Sequence, residues 1–108
     1  MALESDLMRA VFLAHGSRRD CRLIRANVIK ARHPGGGFVQ SLPAGFPDLV
    51  VIAARVGFVE LKTGTDESHA QRSWRAMCSD LGAPSVVCRS VEEVSAFIAT
   101  LVLDSTKI

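Results

Sequence analysis

Two short β-rich runs lie almost back to back near the middle of the chain, Leu49-Val50-Val51-Ile52-Ala53 and Phe58-Val59-Glu60-Leu61-Lys62, and the second is broken by an acid and a base. Runs this short, joined by a few residues that include Gly57, pair most economically as a β-hairpin. Successive side chains of a strand alternate between faces, so Glu60 and Lys62 project together, opposite Val59 and Leu61. Asp48 opens the first run directly after Pro47, at an even separation from Glu60. With the turn centred near Ala54, Asp48 stands across from Glu60, and Leu49, Val51, Ala53, Val59 and Leu61 share the opposite, core-facing side. A three-residue loop Arg55-Val56-Gly57 would instead offset the two acids by about four residues, roughly 13 Å at strand rise. A bend or bulge near Pro47 would then be needed to bring them together.

Two carboxylates that converge repel each other, and a bound divalent cation with hard oxygen ligands relieves that repulsion. Mg2+ or Mn2+ suits such a pair, because it also takes water and phosphate oxygens and polarises them. Lys62, two residues from Glu60 on the same face, would reach the attacking water and the charge developing on a phosphoryl group. The plainer alternative is an edge-strand surface carrying a Glu–Lys pair, since Glu-x-Lys alone carries little information.

Around this hairpin the pattern is that of a mixed α/β domain. Leu3, Leu7, Ala10, Val11 and Ala14 recur at helical spacing before Gly16, which predicts a helix over about 3–15. Arg22 to Arg32 reads as one strand, with Ile24, Ala26 and Val28 on one face and Leu23, Arg25 and Asn27 on the other. Pro34-Gly35-Gly36-Gly37 breaks regular structure, and Phe38-Val39-Gln40 suits a short returning strand; the glycine run lacks the Gly-Lys-Ser/Thr of a phosphate loop. Ser68-x-x-Gln71 is a capping box, and Ala70, Trp74, Met77 and Leu81 then predict a helix over 69–81 with Trp74 and Met77 in the core. A strand Ser85-Val86-Val87-Cys88 and a helix capped by Ser90-x-x-Glu93 and built on Val94, Phe97, Ile98, Leu101 and Val102 complete the order α-β-β-β-β-α-β-α.

The 108 residues, 48% of them hydrophobic, match one compact domain spanning 1–108. No apolar run approaches the roughly 20 residues of a membrane span, and Met1–Arg9 contains Glu4 and Asp6, unlike a signal peptide. Cys21, Cys78 and Cys88 form no CxxC pair, so a reducing cytosol is the default, with Cys78 a buried small hydrophobe and Cys21 at most weakly activated. His15, His33 and His69 lack ligand spacing and read as surface or capping residues. The net charge of +2 says little. Its distribution says more: Arg18, Arg19, Arg22, Arg25, Lys30 and Arg32 face the single acid Asp20, a basic segment suited to a polyanion and equally compatible with a solvated strand edge.

Pro47-Asp48 followed by Glu60-Leu61-Lys62 resembles the signature of the PD-(D/E)xK nuclease superfamily, whose restriction-endonuclease-like core is a mixed central β-sheet flanked by helices. Glu4, Arg25-Ala26-Asn27, Gly45-Phe46-Pro47-Asp48, Phe58 to Thr63, Gln71, Gly82 and Arg89-Ser90-x-Glu92-Glu93 resemble its VRR-NUC branch from Glu4 to Ile98. The resemblance implies metal-dependent hydrolysis of DNA phosphodiesters, with branched DNA such as Holliday junctions as substrate, a homodimer, and a cytoplasmic protein of a bacterium or of a phage in a bacterial host. It implies that Asp48, Glu60 and the Leu61 carbonyl hold Mg2+ or Mn2+, and that Lys62 positions or activates water. Glu4 would reach the metal through water, and Gln71 would support the site. A non-catalytic DNA-binding module with a nuclease fold, and a nuclease subunit that takes its specificity from a partner, stand as alternatives. The basic segment would contact DNA, with Arg72 and Arg75 on the later helix as the other candidate positive surface.

Overall fold

Pairing between Leu49–Ile52 and Val56–Leu61 organises the molecule: Leu49 lies opposite Val59, Val50 opposite Phe58, Val51 opposite Gly57 and Ile52 opposite Val56. The computed structural model describes residues 3–26, 30–32, 34–36, 38–40 and 42–103, with segments 30–32 and 38–40 described by their backbone. The elements are α1 (Glu4–His15), β1 (Arg22–Arg25), β2 (Lys30–Arg32), β3 (Phe38–Gln40), β4 (Leu49–Ile52), β5 (Val56–Leu61), α2 (His69–Leu81), β6 (Ser85–Cys88) and α3 (Val91–Val102). Strands β1, β4, β5 and β6 form a mixed sheet in that spatial order, antiparallel except for the parallel β5–β6 pair. A parallel neighbour requires a crossover, and α2 supplies it. Strands β2 and β3 pair separately.

The hairpin turn is Ala53-Ala54-Arg55, so it centres on Ala54 and not on Arg55-Val56-Gly57. Gly57 is needed elsewhere: a Cβ there would stand 2.6 Å from Leu101 and 2.8 Å from Phe97, so its absence lets α3 lie against β5. Leu49, Val51, Val59 and Leu61 all face the core as expected, packed with Leu7, Met8 and Val11 of α1 and Val94, Ile98 and Leu101 of α3. Ala53 packs at its margin. Helix α2 covers the other sheet face, where Phe46, Phe58 and Trp74 stack with centroids 4.9–6.0 Å apart.

Four readings are corrected. The single strand 22–32 is two strands in different sheets, giving the order α-β-β-β-β-β-α-β-α. Strand β1 ends where its partner does: Arg25 pairs with Leu49, the Ala26 N–H reaches the Asp48 carbonyl, and Pro47 next in line has no N–H to donate. Within β1 it is Leu23 that faces the core, because it pairs with Val51, and Ile24 that is half exposed on the α2 side. Residues Asn27, Val28 and His33, and the side chains of Lys30 and Arg32, lie outside the described residues.

Helix α2 has the expected bounds but is rotated: Gln71, Trp74 and Cys78 turn inward, Met77 is 41% exposed and Leu81 more so. The third member of the inward row is Cys78, whose small side chain lets the helix sit close to β6, and Met77 and Leu81 fall to one side of it. His15 is buried, not a surface residue. Arg18 can only donate, so His15 Nδ1 accepts from it at 3.2 Å, and Nε2–H donates to Ser95 Oγ at 2.7 Å. The Ser95 hydroxyl donates in turn to the Val91 carbonyl at 2.9 Å, which completes a polar brace between α1 and α3. Burial and the Arg18 charge hold the His15 pKa down. Burial likewise pushes the Cys21, Cys78 and Cys88 thiols up, Cys88 to about 12, so none is activated. Among the described residues no helix is long and apolar enough to cross a membrane.

Candidate active site

The β4–β5 register extends by one residue at each end to put Asp48 across from Glu60, and side-chain contacts fix the pair there. The Leu61 N–H donates to Asp48 Oδ2 at 2.8 Å, tying the aspartate to the far strand. Glu60 is only 7% exposed, a depth its parity alone does not predict, because α2 roofs the face on which it lies. Gln71 Nε2 donates to Glu60 Oε1 at 2.7 Å. The same amide accepts from the Ser68 N–H through its oxygen at 2.8 Å, while the Gln71 N–H donates to Ser68 Oγ. Capping α2 and holding Glu60 are thus one arrangement. Lys62 Nζ stands 4.0 Å from Glu60 Oε1.

Gly45 makes this closure feasible. Its φ of +83° suits a residue without a side chain, and a Cβ would overlap the Ala70 carbonyl at the first turn of α2. The Gly45-Phe46-Pro47 segment therefore lies directly against the turn that presents Gln71.

The electrostatics of the pair are strained in one direction. Burial first, and then the Asp48 carboxylate, push the Glu60 pKa up to about 8, with Lys62 opposing and Glu4 adding a little. Glu60 Oε2 is buried and, with both acids ionised, accepts no hydrogen bond from the described residues, while a protonated Glu60 lies within hydrogen-bonding reach of Asp48. An orphaned carboxylate oxygen beside a second carboxylate fits a hard divalent cation, which would supply the missing partner and the missing positive charge. Among the described residues no three His, Cys, Asp or Glu side chains converge.

Asp48 and Leu61 open on a cavity of about 230 Å³, which Glu4, Ser5, Met8 and Arg25 also line. Glu4, in the first turn of α1, therefore shares that cavity with Asp48, whereas Glu60 and Lys62 do not line it. The described arginines of the basic segment do not share one face. Arg18 is engaged by Asp20 in a two-pronged ion pair, Arg22 pairs with Ile52 on the α2 side, and Arg25 points to the α1 side and the cavity. Arg19 is exposed. On α2, Arg75 is likewise held by Glu67, whereas Arg72 is exposed. Sequence reasoning missed Arg9, on α1, which with Ser5, Met8, Phe12 and Arg25 lines a neighbouring cavity of about 460 Å³. Its one signal is the four-residue step from Ser5 along the helix, too weak to single it out.

The family model of the VRR-NUC domain matches residues 21–92. A solved structure described as a VRR_NUC domain protein superposes with a TM-score of 0.67 at 18% sequence identity, covering 94% of this chain and 90% of that chain. No curated protein matches the sequence.

Proposed function

This chain belongs to the VRR-NUC family, a nuclease-fold DNA-processing domain, and we propose that it is a divalent-metal-dependent endonuclease that hydrolyses phosphodiester bonds in branched DNA, Holliday junctions among them. The observation that carries the reading is the pair of half-buried Asp48 and buried Glu60, with a lysine 4.0 Å from Glu60. In a purely structural ion pair the base holds its acid ionised; here Lys62 does not offset burial and the neighbouring Asp48, and the Glu60 pKa is raised.

Asp48, Glu60 and the Leu61 carbonyl would hold the cation, with Glu4 reaching it through water. Bound there, Mg2+ or Mn2+ supplies Lewis-acid stabilisation of the charge that develops on the phosphoryl oxygens and eases deprotonation of water. Lys62 holds the attacking water, or the oxygen that gains charge, by its ammonium group. Gln71 fixes the Glu60 rotamer by its 2.7 Å hydrogen bond, so that the acid does not swing into the apolar cluster beneath α2. Arg25, lining the same cavity, receives a phosphate beside the reacting one.

The test is a cleavage assay on junction, flap, single-stranded and linear duplex DNA with Mg2+, Mn2+, Ca2+ or chelator. Cleavage with Mg2+ or Mn2+, greatest on a branched substrate and lost in chelator, is expected; Ca2+ should permit binding with little hydrolysis. Lys62→Ala should reduce turnover by about 10²–10³-fold with DNA affinity unchanged. Full activity in chelator contradicts the metal reading, and binding without cleavage under every condition identifies a non-catalytic DNA-binding module.

A further inference from the structure

The cavity in front of Asp48 does not end at Arg25. Ser5, Met8 and Arg25 line both it and the cavity of about 460 Å³ bounded by Arg9 and Phe12, so the two adjoin across a shared wall, as a trough running along α1 beside β1. Charge is segregated along it: Glu4 and Asp48 stand at one end, Arg25 in the middle and Arg9 at the other. Arg9 and Arg25, like Arg19, Arg22, Arg55 and Arg72, have no side-chain ion-pair or hydrogen-bond partner among the described residues, whereas Arg18, Arg75 and Arg89 are each engaged by an acid; of the free ones only Arg9 and Arg25 line these cavities. The floor between the two arginines is apolar, made by Met8 and a half-buried Phe12.

A duplex uses only the arginines of such a trough, because its bases are stacked inside the helix and present no ring to Phe12. An unpaired nucleotide uses both: its phosphates meet the cations, and its base, with a π-face of its own, packs on an aromatic ring. We propose that the α1–β1 trough binds an unpaired nucleotide of the substrate strand beside the scissile phosphate, with the backbone on Arg25 and Arg9 and the base on Phe12. The inference rests on the nuclease reading of the adjoining site and names the feature of branched DNA that this chain recognises, a single-stranded base at the branch.

The experiment measures binding without divalent metal, by fluorescence anisotropy, to a blunt duplex, to the same duplex with a short single-stranded overhang, and to overhangs with one abasic residue at successive positions. The wild-type chain should favour the overhang, and an abasic residue at one position should abolish that preference. Phe12→Leu, which keeps the packing on α1 but removes the ring, should lose the preference by about tenfold and leave blunt-duplex affinity unchanged. Arg9→Gln, at an exposed position, should lower overhang affinity and reduce the salt slope by about 0.7. Equal binding of blunt and overhang DNA, or an overhang preference that survives both substitutions, overturns the trough while metal-dependent cleavage, assayed separately, still stands. Overhang binding through Phe12 in a chain that cleaves nothing keeps the trough and overturns hydrolysis; absence of any DNA binding overturns both.

Discussion

At the residue scale, Glu60 without a cation keeps a proton that it must give up to hold one. Its pKa near 8 lies above the 4.5 of an unperturbed glutamate, so between these values the folded chain binds a proton that the unfolded chain has released. The stability this confers is fully present below about pH 4.5 and is lost as pH rises through about 8. In chelator, the unfolding free energy of wild type minus that of Glu60→Gln should therefore fall with rising pH across that window, by at most about 1.4 kcal/mol per pH unit. Urea denaturation of both proteins from pH 4 to pH 9 checks it, and a constant difference contradicts the buried-acid account. That Asp48 and Glu60 share a sheet face was legible in the sequence because strand parity is strict; that they stand opposite each other was not, because two turns of the same parity fitted the residues between them. The burial of Glu60 was not, because parity says which side a residue takes and nothing about what lies over it.

At the element scale, the informative joint is between the Gly45-Phe46-Pro47 segment and α2. Gly45→Ala places a methyl group into the Ala70 carbonyl at a left-handed φ, so α2 must move away and Gln71 must leave Glu60. Destabilisation of about 1–3 kcal/mol is expected, with a loss of turnover larger than that of a surface variant such as Ala99→Gly; chemical denaturation and cleavage rates measure both. Helix α2 was legible to its end residues, since Ser68, Gln71 and Gly82 are stop and start signals with a physical mechanism. Its inward face was not, because Met77 and Leu81 are more apolar than Gln71 and Cys78, yet the latter pair meets the sheet. Nor was the division of 22–32: alternation continues through the segment, while the partner strand stops at Pro47.

At the scale of the whole molecule, the α1/α3 layer, the mixed sheet and the α2 layer place both carboxylates, the lysine and the trough at the same end of the sheet. Each chain carries one such site, whereas a branched DNA offers symmetry-related strands, so a twofold dimer is the expected working form. Light scattering should return about twice the 11.6 kDa chain mass, and a monomer at the concentrations used for cleavage contradicts it. The most direct test of the central claim is single-turnover cleavage of a labelled branched DNA by wild type, Asp48→Asn and Glu60→Gln in Mg2+, with affinity for the same DNA measured in parallel. The account predicts that both variants bind with near wild-type affinity and cleave nothing measurable. Wild-type cleavage rates in either variant would contradict it.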